Sequence, residues 1–180
     1  MDTHDHENVT KPLSFEQLRD LARKHFNKEF RIVEYKDIIN ANSLDDFIKP
    51  HEAIIIYYPT ESMTFGHYVA LVRNGDTVFF HDSYGNRPDS ERIKVNPSLY
   101  RGEGETNSLI EKLLKSGLNV DYNNHKHQQF KNNSCTCGRH SLMRCGFGNL
   151  STEQYDKMLK YCCDTNNFKD LDNMVAMIIS

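Results

Sequence analysis

The chain has 180 residues, 38% hydrophobic and 26% charged, with a formal net charge of -3. That suffices for one domain with a sizeable core and lacks the basic footprint of a nucleic-acid binder. No apolar run approaches the roughly 18 residues of a membrane span, and the polar start MDTHDHENVTKPLSF reads as neither signal nor transit peptide. The five cysteines, Cys135, Cys137, Cys145, Cys162 and Cys163, all fall in the last quarter. Their number is odd and two are adjacent, which argues against a disulfide framework and for a reducing compartment.

Residues 1–13 are expected to form a flexible tail, and 14–180 a single domain. Ser14 with Gln17 makes a capping-box pattern ahead of a helix over about 15–26. A short strand is expected at 31–35, a helical turn at 43–49 and a buried central strand in AIIIYY, 53–58. Two strands flanking Asn74-Gly75 follow as a hairpin. Residues 86–105 read as a long surface connection, 106–117 as an amphipathic helix, 118–122 as a short strand and 123–134 as a polar loop. Helices over 137–147, about 152–163 and 168–179 complete the chain. Grouped strands with flanking helices predict an α+β domain with a mixed central sheet.

The hairpin FGHYVALVRNGDTVFFHDSYG carries a histidine at its entrance and an aspartate at its exit. With Asn74 and Gly75 as a two-residue I′ turn, Arg73 pairs with Asp76, Val72 with Thr77, and His67 stands directly opposite Asp82. A carboxylate beside imidazole fixes its tautomer and stabilises imidazolium, freeing the second ring nitrogen for another group. That group is sought in NNSCTCGRHSLMRCGF. Cys137 stands where a helix begins, and a helix N-terminus stabilises a thiolate. Gly138 would let a carbonyl approach the backbone. The N–H groups here, with a side-chain amide from Gln128 or Gln129, would form an oxyanion hole.

The order GHYVAL, FHDSYG, glutamine and NSCTCG resembles the adenovirus-protease and SUMO-protease superfamily of cysteine peptidases. NSxxCG and CGRH are most similar to its viral branch, including the adenain-like proteases of virophages and Polinton-type elements. The resemblance spans about Ile54 to Phe147. It implies His67 as general base, Asp82 as its orienter, Cys137 as nucleophile and a preceding glutamine as oxyanion donor. It also implies a mixed sheet packed on the helix that bears the cysteine. Two features depart from the pattern: Tyr68 stands where an indole is usual, and Gln129 precedes Cys137 by a residue or two more than usual. Which glutamine serves stays open.

The resemblance implies a viral endopeptidase that cuts capsid or other virion precursor proteins near small residues such as Gly, in virions and host-cell cytoplasm. No metal, cofactor or membrane is expected, and the charge does not support the DNA and basic-peptide activators of adenovirus protease. An isopeptidase for ubiquitin-like modifiers would use the same triad. A reading of a different class is a zinc-stabilised interaction module built on His125, His127, Cys135 and Cys137. The HKH stretch reads more simply as a solvated loop. His140 packs or reaches solvent, His81 lies on the strand face opposite Asp82, and Cys135 lacks the following glycine of a nucleophile.

Overall fold

A computed structural model of the chain describes residues 9–59, 66–90, 108–129 and 134–180. Helix α1 (Phe15–Phe26) opens on the expected box: Gln17 N–H donates to Ser14 Oγ at 3.2 Å, and Ser14 N–H to Gln17 Oε1 at 2.9 Å. Strand β1 (Arg31–Glu34) leads directly into a short helix α2 (Tyr35–Asn40), which the sequence pattern did not indicate, and then a 3₁₀ turn (Leu44–Asp46). Strands β2 (Ala53–Pro59), β3 (Gly66–Asn74) and β4 (Thr77–His81) precede α3 (Ser108–Lys115) and β5 (Asn119–Tyr122). Helices α4 (Cys137–Gly146), α5 (Thr152–Thr165) and α6 (Leu171–Ile178) follow. Most of the expected 86–105 connection lies outside the described residues.

The strands form one mixed sheet in the order β1-β2-β3-β4-β5. The outer pairs are parallel and the two inner pairs antiparallel. The fold is thus α+β with a mixed central sheet between helices. Alternation along the strands divides the core in two. Ile54, Ile56, Val69, Leu71, Val78 and Phe80 meet Tyr35, Ile38, Leu109 and Leu113 on one face. Ile55, Tyr68 and Ala70 meet Leu18, Leu142, Met143, Tyr155 and Val175 on the other. Burial on both faces explains why AIIIYY reads as an unbroken apolar run.

The last residues of the expected tail pack on the domain. Residues 1–8 lie outside the described residues, but the chain is held from Val9 onward. Cys135 N–H donates to Val9 O at 2.8 Å and Tyr68 Oη–H to Leu13 O at 2.9 Å. Leu13 is buried in the second core.

The hairpin forms, but in a different register. Asn74 pairs with Thr77, Arg73 with Val78 and Ala70 with His81, so the two turn residues are Gly75 and Asp76. Gly75 has φ 55° at the first turn position, where a II′ hairpin requires glycine. Asn74 is instead drawn into the strand, its Nδ2 donating to Gly148 O at 2.6 Å. A shift of two residues preserves which face every side chain occupies. We expect Gly75→Ala to lower stability by about 1–2 kcal/mol, the cost of a left-handed conformation for a residue with a Cβ. Chemical denaturation of the variant checks this, and an unchanged midpoint would refute the turn assignment.

Candidate active site

The corrected register moves His67 out of direct opposition to Asp82. The β3–β4 ladder ends at Ala70–His81, and Asp82 begins the chain's departure from the sheet. The two side chains still meet: His67 Nε2 lies 2.8 Å from Asp82 Oδ1, and both residues are buried. A tight turn brings the carboxylate back. Tyr84 N–H donates to Asp82 Oδ1 at 2.9 Å and Gly85 N–H to Asp82 O at 2.8 Å, an Asx-type arrangement that aims a short side chain along its own backbone. Extending the ladder puts Tyr84 level with His67, and their rings stack at 5.1 Å.

The backbone of Asp82 is held independently of its side chain. Asp82 N–H donates to Asn123 Oδ1 at 2.9 Å, and Asn123 Nδ2 donates to Asp82 O at 2.6 Å. Ser83, the next residue, docks the glutamine loop. Its carbonyl accepts the N–H groups of His127 and Gln128, both at 2.8 Å, and its Oγ donates to Gln128 Oε1 at 2.8 Å. The four residues DSYG therefore orient the imidazole, anchor the glutamine and cover the histidine with a ring.

Cys137 is half-buried at the first turn of α4. With Nε2 given to Asp82, Nδ1 is the imidazole nitrogen left for the thiol. Burial alone would lower the His67 pKa. Hydrogen bonds with Asp82 and Cys137, and the charges of both, outweigh it and raise the pKa to about 10. Burial likewise opposes ionisation of Asp82. The hydrogen bond and charge of His67, with donors from Tyr84 and Asn86, overcome it and hold the carboxyl below its usual range. The arrangement favours imidazolium beside the Asp82 carboxylate, next to the Cys137 side chain.

The two glutamines are sharply distinguished. Gln128 is buried, and its Nε2 donates to Ser134 O at 3.1 Å, on the approach to Cys137. Gln129 has an exposed side chain, and its backbone N–H donates to Asp172 Oδ2 at 2.9 Å. Gly138 packs inward on one side. A Cβ there would lie 3.3 Å from both Leu18 Cδ2 and Tyr68 Cδ2, so this side of the residue faces the core. The glycine lets α4 pack closely on β3 and α1.

The remaining candidates are dispersed. His127 is buried with Nε2 2.9 Å from Asp156, and its ring stacks on His81 at 5.0 Å. His125 is exposed, and Cys137 interacts with His67. Among the described residues, no group of three or more His, Cys, Asp or Glu is placed to hold a metal ion. Cys135 is half-buried; burial, then the charge of Cys137, push its thiol pKa up. His140 is fully buried, its Nε2 3.1 Å from Asp172. Ser83, Tyr84, Asn123, Thr136 and Asp172 were missed by sequence reasoning. Adjacency to Asp82 is a usable signal for the first two, while the others act across long sequence separations.

No protein-family model matches the chain. It is 29% identical over 152 residues to the uncharacterized protein V9 of Sputnik virophage, covering 82% of this chain and 84% of that protein. Among solved structures it is similar to the ASFV pS273R protease, at 18% identity and a TM-score of 0.45, over 96% of this chain and 68% of that one. It is also similar to a de-sumoylating protease, at 14% identity and a TM-score of 0.45, over 99% of this chain and 86% of that one.

These charge states set a pH dependence. The folded pKa of His67 lies above the ordinary value, so its contribution to stability is complete below about 6.5 and is lost as pH rises through about 10. His81 and His140 act in the opposite sense. Burial depresses both, so their contribution is present above about 6.5 and lost as pH falls. We expect His67→Gln to flatten the alkaline fall in the urea midpoint between pH 7 and 10 while sparing the acid limb. An alkaline limb identical to wild type would mean that His67 is not held as imidazolium.

Proposed function

We propose that this chain is a cysteine endopeptidase with Cys137 as nucleophile, His67 as general base and acid, and Asp82 as the group that orients the imidazole. The observation that carries this reading is the buried His67–Asp82 hydrogen bond, with the remaining ring nitrogen available to a thiol at the start of α4. Thiolate attack on a peptide carbonyl would form the Cys137 Sγ–C bond and move negative charge onto the carbonyl oxygen. Backbone N–H groups at the start of α4 and the Gln128 amide are the donors that oxygen would meet, in a water-poor setting where such donors act strongly. Collapse would break the C–N bond, with imidazolium protonating the leaving amine. Water, deprotonated by His67, would then release the acyl group and restore the thiol.

The substrates proposed are virion precursor proteins, including capsid proteins, cut near small residues such as Gly, within virions and the host-cell cytoplasm. Similarity to a virophage protein over most of both chains supports the viral setting. Burial separates the two glutamines, favouring Gln128 over Gln129 as oxyanion donor.

The test is hydrolysis of a co-encoded capsid precursor alongside a panel of ubiquitin-like fusion proteins. Cleavage of the precursor supports the maturation role, and cleavage of the fusions alone would point to an isopeptidase. Cys137→Ala should abolish hydrolysis while the protein stays folded, and Cys135→Ala should retain it. Gln128→Ala should reduce kcat by about 10²–10³-fold, the usual cost of one oxyanion donor, whereas Gln129→Ala should change it less than threefold. An active Cys137→Ala protein would eliminate the assignment.

A further inference from the structure

Asp172 is a buried carboxylate that the chemistry above does not use. It stands in the first turn of α6, but it does not cap that helix. Capping falls to Asp170, whose side chain accepts Asn173 N–H at 2.9 Å. Asp172 instead binds three donors from elsewhere in the chain. Oδ2 accepts Gln129 N–H at 2.9 Å; Oδ1 accepts the Thr136 hydroxyl at 2.5 Å and His140 Nε2–H at 3.1 Å. Gln129 follows Gln128, Thr136 precedes Cys137, and His140 lies one turn beyond it. Three segments that border the nucleophile therefore converge on one side chain.

The contact with Thr136 has a specific consequence. A threonine at a helix N-cap ordinarily accepts a hydrogen bond from an N–H of the first turn. Thr136 stands at the N-cap of α4 with φ -91° and ψ 0°, a helical rather than an extended backbone, and makes no side-chain capping bond; its hydroxyl donates to Asp172. Thr136 thus gives no side-chain cap to the first N–H groups of α4, at the place where Cys137 stands. On the other side, the bond to Gln129 holds the loop that carries the buried Gln128 amide. Both sets of oxyanion donors are positioned by the same carboxylate. Burying a charge is costly unless it is fully hydrogen-bonded, and Asp172 is.

Resting on the peptidase reading, we propose that Asp172 is the positioning residue of the oxyanion side: it fixes Thr136 at the start of α4 and the Gln128–Gln129 loop beside it. In Asp172→Asn the size is kept, but an amide N–H₂ replaces one acceptor and opposes a donor. A displacement of about 1 Å among reacting groups can cost on the order of 10² in rate.

Two reactions of the full chain separate the roles. Alkylation of Cys137 by iodoacetamide needs the thiol and His67 but no oxyanion donors. Hydrolysis of a Gly-Gly aminocoumarin amide needs all of them. Asp172→Asn should lower kcat by about 10–100-fold, leaving KM within threefold and the alkylation rate within twofold. Should Asp172→Asn fail to fold, Thr136→Val should show the same split, and Thr136→Ser, which keeps the hydroxyl, should restore kcat. Folded Asp172→Asn and Thr136→Val proteins with kcat within twofold of wild type would overturn the proposal. So would alkylation falling in parallel with kcat, which marks general loss of structure. Failure of the peptidase reading shows in the wild type instead, as no hydrolysis of the amide, and it removes the proposal with it.

Discussion

The turn at Asp82–Gly85 is the constraint on which the site depends. A carboxylate can orient an imidazole only if its own direction is fixed, and here the direction is set by local backbone. Oδ1 is shared between Tyr84 N–H and His67 Nε2, while Asn123 holds the peptide groups on both sides of the Asp82 Cα. Desolvation would otherwise favour a neutral acid and a neutral imidazole. Close hydrogen bonds reverse that preference, so the buried pair is ionised and oriented together.

Helix α4 meets this turn because of small residues. Ala70 on β3 is fully buried on the α4 side of the sheet, and Gly138 lets the helix settle against Tyr68 and Leu18. Close packing then delivers Cys137 to the sheet end, where His67 projects. Behind it lies an unusually polar interior. His81, His127 and His140 stack in series, and Arg144 is buried over the Tyr155 ring, its guanidinium donating to Phe147 O and Leu150 O. Apolar residues of similar volume would fill that space at lower desolvation cost. The polar layer, however, has directional bonds where Asp172 ties α4 and the 127–129 loop to α6, and His127 Nε2 lies against Asp156 of α5 at 2.9 Å.

The glutamine loop shows how the parts join. Ser83 connects it to the Asp82 turn, Asp172 to the C-terminal helix, and Ser134 to the approach to Cys137. A single short segment is therefore referenced to His67, Cys137 and the last helix at once. Precise placement of donors is what an oxyanion site needs, since the gain comes from dipoles already in position.

What the sequence by itself determined is local. Ser14 and Gln17 specify the start of α1 because both halves of the box lie within one turn. Apolar runs in 53–58 and 67–73 specify central strands, and Cys137-Gly138 specifies a helix start after a polar loop. Pairing His67 with Asp82 was legible because a hairpin keeps its two ends together in any register of the same parity. The register itself was not, since it turned on whether Asn74 joins the strand, and that depends on Gly148 far along the chain. Nor was the choice between Gln128 and Gln129, adjacent residues whose difference is burial against Ser83 and Ser134. Nor was the packing of Leu18 and Tyr68 against Gly138 legible, since both lie far from it in sequence. Asn123 and Asp172 carry no local signature at all. Their roles come from hydrogen bonds to groups about 40 residues away, and only the tertiary structure decides which distant donors a buried side chain will meet.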